Sequence, residues 1–323
     1  MSSDYEALFS KKGLISHPDW DLVGETVFSN VSERDYADVH RSFAEEWLQR
    51  LCNDLGGKYH LSSTDNFLIV SSLDGAFLKS IERFAEATLS LVQEKLGRIA
   101  SSVRAPQVLL LLHNERLYKR YVEHYLPLEE VEGAPGTAIR EGYGHYVFLA
   151  DDFEEFHGLY AQEIAMWLMM DLTMLPQWLG EGLSLWMEYE ATNEAPIQLT
   201  RELKEGHYAL WDDESIQTFW SGECFFNSDE TGLLAASMAD VLLKNAQKQA
   251  PNRDAFEDFV LEADFNDAGA GSAQRHLNTT LGTLVARFLG RGAWEPAIID
   301  TPDGPRLARG PHDDEDYNED GED

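Results

Sequence analysis

Residues 156–190, FHGLYAQEIAMWLMMDLTMLPQWLGEGLSLWMEYE, constrain the fold more than any other stretch of the chain. At helical spacing they give two helices, about 153–173 and 176–192, that are apolar nearly all the way round. Helices of that kind belong inside a protein rather than on its surface. Glu163 and Glu181 sit within them, away from the acids nearer their ends. An ionised carboxylate is almost never fully buried without a partner, because its desolvation is costly. Two acids inside one buried helix pair therefore require either partners or a function.

The surrounding pattern supplies a frame for that pair. From Glu33 to Leu55 the apolar residues Tyr36, Val39, Phe43, Trp47 and Leu51 recur every three or four positions, which predicts an amphipathic helix ended by Gly56-Gly57. Phe67–Val70 and Val108–Leu112 are short, branched, apolar runs that read as buried strands, with a helix over 75–96 between them. Asn114 is placed to cap a helix holding Leu117, Tyr121 and Tyr125. A Gly-rich turn, 133–144, leads into a strand at 145–150. Beyond it the pattern is helical almost throughout, with further helices expected at 199–211, 229–248, 253–263 and 272–289. Residues 1–32 carry no clear period. Strands mixed with helices first and helices alone afterwards predict an α+β fold. Its expected parts are a small strand-containing lobe (1–150), a mainly helical lobe (151–292) and an irregular acidic tail (293–323).

Charge and composition narrow the functional classes. The 58 acids against 25 bases give a net charge of −33, a field that disfavours nucleic acid and anionic membrane as partners. Eight of the acids crowd into Asp313–Asp323, a run that reads as a solvated tail or, alternatively, a docking tail for a basic partner. No apolar run reaches the about 18 residues of a membrane span, and the first residues lack the apolar stretch of a secretory signal. Cys52 and Cys224 are too few for a disulfide framework. The expected location is a reducing cytoplasm. No G-x-S-x-G elbow, phosphate loop, C-x-x-C pair or dinucleotide fingerprint is present.

The segment Pro176-Gln177-Trp178-Leu179-Gly180-Glu181-Gly182-Leu183-Ser184 resembles the P-x-W-L-x-E-G-L-A helix of gluzincin-type zinc metallopeptidases, the peptidase-MA-like group. In that family the Glu is the third zinc ligand. The preceding helix carries H-E-x-x-H, two His ligands on one face with a Glu between them as general base. The resemblance covers about residues 60–290 and implies a zincin-like fold, with a strand just upstream of the motif forming the edge of the cleft. Here that strand is 145–150, and His145, Tyr146, Val147 and Phe148 become the expected peptide-binding residues.

At the motif position this chain reads Gln162-Glu163-Ile164-Ala165-Met166. Both His positions are changed, to Gln162 and Met166, which are poor zinc ligands, and Glu181 alone cannot hold the ion. Glu163 then occupies a vestigial general-base position, with no metal-activated water to deprotonate. No zinc or other cofactor is expected. Glu163 is read as capping backbone groups or pairing with an Arg that replaces the metal's charge. If it faces Glu181, at least one of the two carboxyls should titrate high. His145 and His207 are the remaining candidates for a substitute ligand. The resemblance thus implies a noncatalytic metallopeptidase-like protein that binds a peptide or protein partner by adding it as a strand. The alternative is an active peptide hydrolase using a non-standard metal site or the carboxylate pair.

Overall fold

The computed structural model describes residues 5–12, 15–29, 31–32, 34–127, 136–149, 157–170, 172, 174–227, 230–301 and 304–307. The chain divides into two compact units, Met1–Glu94 with Ser102–Ile164, and Lys95–Ser101 with Ala165–Asp323. Ala150, where the sequence pattern changes, lies outside the described residues, as does the acidic run 313–323.

The first unit opens with a hairpin, β1 (Phe9–Lys12) and β2 (Ile15–Pro18), followed by the single-turn helix α1 (Trp20–Val23) and then α2 (Tyr36–Leu55). After α2 come β3 (His60–Ser63), β4 (Phe67–Ser71), α3 (Gly75–Leu96), β5 (Gln107–Leu112), α4 (Glu115–Val122), β6 (Gly136–Ile139), β7 (His145–Leu149) and α5 (His157–Leu168), with the last residues of α3 and those of α5 after Ile164 falling in the second unit. The helix expected over 33–55 starts at Tyr36, and the expected helix over 75–96 and strands at 67–70 and 108–112 stand where periodicity places them. Asn114 caps α4 by accepting a hydrogen bond from the Leu117 amide at 3.2 Å.

Five strands form one mixed sheet in the order β3-β4-β5-β7-β6. The three central strands run parallel, and β3 and β6 run antiparallel to their neighbours at the two edges. Because side chains alternate across a strand, each central strand feeds two layers. Leu68, Val70, Val108, Leu110, Leu112 and Val147 pack with Phe43, Trp47, Leu48 and Leu51 of α2 and Tyr118, Tyr121 and Val122 of α4. On the opposite face Phe67, Tyr146 and Phe148 surround Tyr160 of α5, with ring centroids 5.6–6.4 Å apart. Phe84 of α3 joins them at 5.5 Å from Tyr160.

This topology corrects the expected cleft edge. β7 is hydrogen-bonded to β5 on one side and to β6 on the other, and His145, Tyr146, Val147 and Phe148 are all buried. Those four residues build the core and have no free strand side on which to receive a peptide. The edge is β6, which has four residues and no strong apolar run. Its position follows from pairing, which a linear pattern does not encode. Val147→Pro would remove a ladder bond from an interior strand and break the fold rather than a binding surface.

The second unit holds α6 (Gln177–Thr192), α7 (Arg201–Leu210), α8 (Ile216–Ser221), α9 (Glu230–Gln249), α10 (Arg253–Leu261), α11 (Ala270–Ser272) and α12 (Leu281–Leu289). A terminal hairpin, β8 (Ile298–Thr301) and β9 (Gly304–Leu307), pairs where the sequence suggests irregular chain. The helix expected over 272–289 is broken. Asn278 adopts φ +50°, and Thr280 starts α12 afresh by accepting from the Thr283 amide at 3.2 Å. Trp178, Trp220 and Phe219 are buried together, the two indoles crossing edge to face at 6.0 Å, so these tryptophans are core. No helix among the described residues is long and apolar enough to cross a membrane.

Candidate functional site

Within the second unit, helix packing accounts for three residues of the segment 176–184 that look like a motif. Pro176 sits at the N-cap of α6, where a missing N–H costs nothing. Trp178 is fully buried and donates its indole N–H to the Ala268 carbonyl at 3.0 Å. Gly182 lies against α9 so closely that a Cβ would come within 2.9 Å of the Ala239 carbonyl oxygen and 3.1 Å of Leu243 Cβ. Glu181 has no such structural account. Among the described residues its carboxylate has no hydrogen bond and no ion pair. Desolvation, with a smaller push from the Glu188 charge, raises it above the usual carboxylate range. A desolvated acid that nothing neutralises is costly to keep, and such groups concentrate at functional sites.

Glu163 belongs to the first unit, on the half-buried side of α5. Its charge is felt by two phenols from other elements. Burial together with Glu163 pushes the Tyr118 hydroxyl of α4 up to about 12, and the same two causes raise Tyr146 of β7 well above the phenol range. Arg140, just after β6, acts on Tyr146 in the opposite sense. Tyr118 is 2% exposed, and among the described residues its hydroxyl has no hydrogen-bond partner. The charge of Glu163 thus bears on two phenols of its own unit, and Arg140 acts on one of them. The sequence pattern places Tyr146 only among the expected peptide-binding residues and gives Tyr118 no role. Their spacing carries no motif, and only the sheet brings β7 and α4 to the same carboxylate.

Gln162 and Glu163 fall in the first unit, and Met166 and Glu181 in the second. The donor set at the motif positions does not fit zinc. An amide and a thioether stand where two imidazoles would be needed, and one carboxylate does not hold the ion. Among the described residues no three His, Cys, Asp or Glu side chains converge as metal ligands.

Neither candidate histidine is available as a ligand. His145 is fully buried between Tyr121, whose hydroxyl is 2.9 Å from Nε2, and the Tyr143 carbonyl, 3.0 Å from Nδ1. The carbonyl can only accept, so Nδ1 carries the hydrogen and Nε2 receives the phenol proton. Burial lowers this ring to about 4, so it is neutral. His207 is locked in the other tautomer. The Trp211 indole donates to Nδ1 at 3.0 Å, which leaves Nε2–H to donate to Ser237 Oγ at 3.0 Å. Ser237 therefore receives a proton from the ring and cannot be activated by it, and burial lowers His207 to about 4 as well. His157 stacks on Phe84 at 4.0 Å.

No family model matches this chain, and no curated protein or solved structure matches it either.

Proposed function

We propose that this chain is a metallopeptidase-like protein without zinc peptidase chemistry, which holds a peptide or protein partner as a strand added along β6. The observation that carries this reading is the position of β6 at the edge of a mixed sheet, paired only on its β7 side among the described strands. An edge strand offers a row of backbone donors and acceptors, and an extended peptide completes it. The changed ligand positions Gln162 and Met166 support loss of the peptidase chemistry, since without zinc Glu163 lacks an activated water to act on. Arg140 and Glu163 act in opposite senses on the same Tyr146 hydroxyl, as expected if an Arg near the vestigial position stands in for the metal's charge. The two thiols fit a reducing cytoplasm. Both are buried, and desolvation pushes Cys52 to about 11 and Cys224 to about 12, so neither is poised to form a disulfide.

The test uses the alternation of a strand. The amides of Thr137 and Ala138 point to opposite sides of β6, one toward β7 and one outward. Proline introduced at each in turn should separate the two roles. The outward position should lose binding of a pool of short unstructured peptides, measured by fluorescence anisotropy, with an unchanged circular dichroism spectrum. The inward position should destabilise the fold. Peptide binding that survives the outward proline would overturn the edge-strand reading.

A further inference from the structure

A second cluster of reactive side chains lies in the first unit, at the carboxyl ends of β4 and β5. These strands are parallel and in register, with Ser71 opposite Leu111. The residues that leave the two strands, Ser72 and His113, therefore come out side by side, with Ser72 Oγ 3.2 Å from His113 Nδ1. Tyr59 fixes the ring. Its hydroxyl is 2.5 Å from the same Nδ1, and its oxygen accepts the His113 backbone N–H at 3.4 Å. Ser72 is half-buried and His113 exposed, so a small molecule can reach both. Three residues after Ser72, α3 begins at Gly75, held at φ +56° with open space where a side chain would stand. The first amides of a helix have no intrahelical acceptor, and those of α3 begin three residues after the serine. Ligands of open parallel sheets also gather at the carboxyl ends of the strands.

We propose that Ser72 and His113 are a nucleophile–base pair that acts on small carboxylic esters. It is independent of the zinc-peptidase positions and of β6. A hydroxyl within hydrogen-bond reach of an imidazole that a third group orients is the arrangement nucleophilic catalysis requires. In the tautomer that leaves Nδ1 unprotonated, two hydroxyl protons cannot share its one lone pair, and the nearer hydroxyl, that of Tyr59, occupies it at rest. In the reaction the phenol turns its proton outward and becomes an acceptor. Ser72 Oγ bonds to the ester carbonyl carbon as its proton passes to Nδ1, and the resulting Nδ1–H is donated to the Tyr59 oxygen. The C–O bond to the alcohol then breaks, with the alcohol taking the proton from His113. Water repeats the sequence on the acyl-serine, releasing the acid and restoring both side chains.

The test is covalent labelling of the full chain with a fluorophosphonate probe, with the adduct located by mass spectrometry. The expected result is a single adduct on Ser72, absent in Ser72→Ala and formed at least ~10²-fold more slowly in His113→Gln. p-Nitrophenyl acetate should give a stoichiometric burst that both variants lose while keeping the wild-type melting temperature. An unlabelled wild-type protein would overturn the proposal whatever the variants do. So would an adduct on another residue, or wild-type labelling of folded His113→Gln.

Discussion

His145 and His207 are neutral rings whose nitrogens are fully committed, and this has a consequence for stability. Each titrates at about 4 in the folded protein because burial disfavours the imidazolium, against 6.5 for an unhindered ring. Above about pH 6.5 both states hold neutral rings, and stability is highest. As pH falls from there toward 4 the unfolded chain takes up protons that the folded one refuses, so stability drops. The loss approaches about 3 kcal/mol per ring. Urea unfolding at about pH 7.5 and about pH 5 checks this, and His207→Gln, which cannot titrate, should show a shallower loss than wild type. Glu181 works in the other direction. Its folded carboxyl is raised, so its charge costs stability above that value and the cost disappears on acidification. Glu181→Gln should therefore melt higher than wild type at neutral pH. A lower melting temperature would mean that a partner compensates the charge. The need to explain Glu181 was legible in the sequence, from an acid inside an apolar helix. The tautomers of His145 and His207 were not, because they depend on Tyr121 and Trp211 donors that only folding brings within 3.0 Å.

At the scale of elements, α6 shows how one segment can look like a motif and act as a packing surface. Its two glycines differ sharply in surroundings. A Cβ on Gly182 meets the α9 backbone, whereas one on Gly180 meets only the flexible end of Leu175, at 3.6 Å. Gly182→Ala should overpack the α6–α9 contact and cost about 1–3 kcal/mol. Gly180→Ala should be neutral or stabilising by up to about 1 kcal/mol, since alanine loses less entropy in a helix. Thermal unfolding of the pair checks both, and equal effects would remove the packing account of this segment. The long helices α2, α3, α6 and α9 were legible because each sustains a helical apolar period for four or more turns. β3 and β6 were not, for each has four residues and an amphipathic or small composition that a turn shares. What defines them is the partner strand, and the turn between β3 and β4 is held from a distance. The Glu86 carboxylate of α3 accepts from the Asn66 amide at 2.9 Å and from its side chain at 2.8 Å.

For the whole molecule, the balance of 58 acids and 25 bases sets the response to salt. A net charge of −33 makes the folded chain repel itself more than the expanded unfolded one does, because folding brings like charges closer. Screening should therefore stabilise the fold, unless attractive pairs dominate. Among the described residues, one attractive network is withdrawn from solvent: Glu257, at 5% exposure, accepts from Arg98 and Arg253 at 2.7 Å each. Burial alone would raise this carboxyl, but the two guanidinium hydrogen bonds outweigh it and hold it below the usual range. Its contribution persists above the unfolded carboxylate value and is lost as pH falls through the lower folded one. Because Glu257 is itself withdrawn from solvent, salt weakens this network less than it weakens repulsion between exposed acids. Among the described residues, half of the ten remaining pairs are helical i,i+4 contacts, and the exposed ones are each worth under about 1 kcal/mol. Repulsion should win, and at neutral pH the melting temperature should climb as NaCl rises from about 10 mM to about 0.5 M. Glu257→Gln should start lower, by about 1–2 kcal/mol, and climb in parallel. A melting temperature that falls with salt would mean that the fold rests on its ion pairs, and that the acidic excess lies where the folded chain does not feel it.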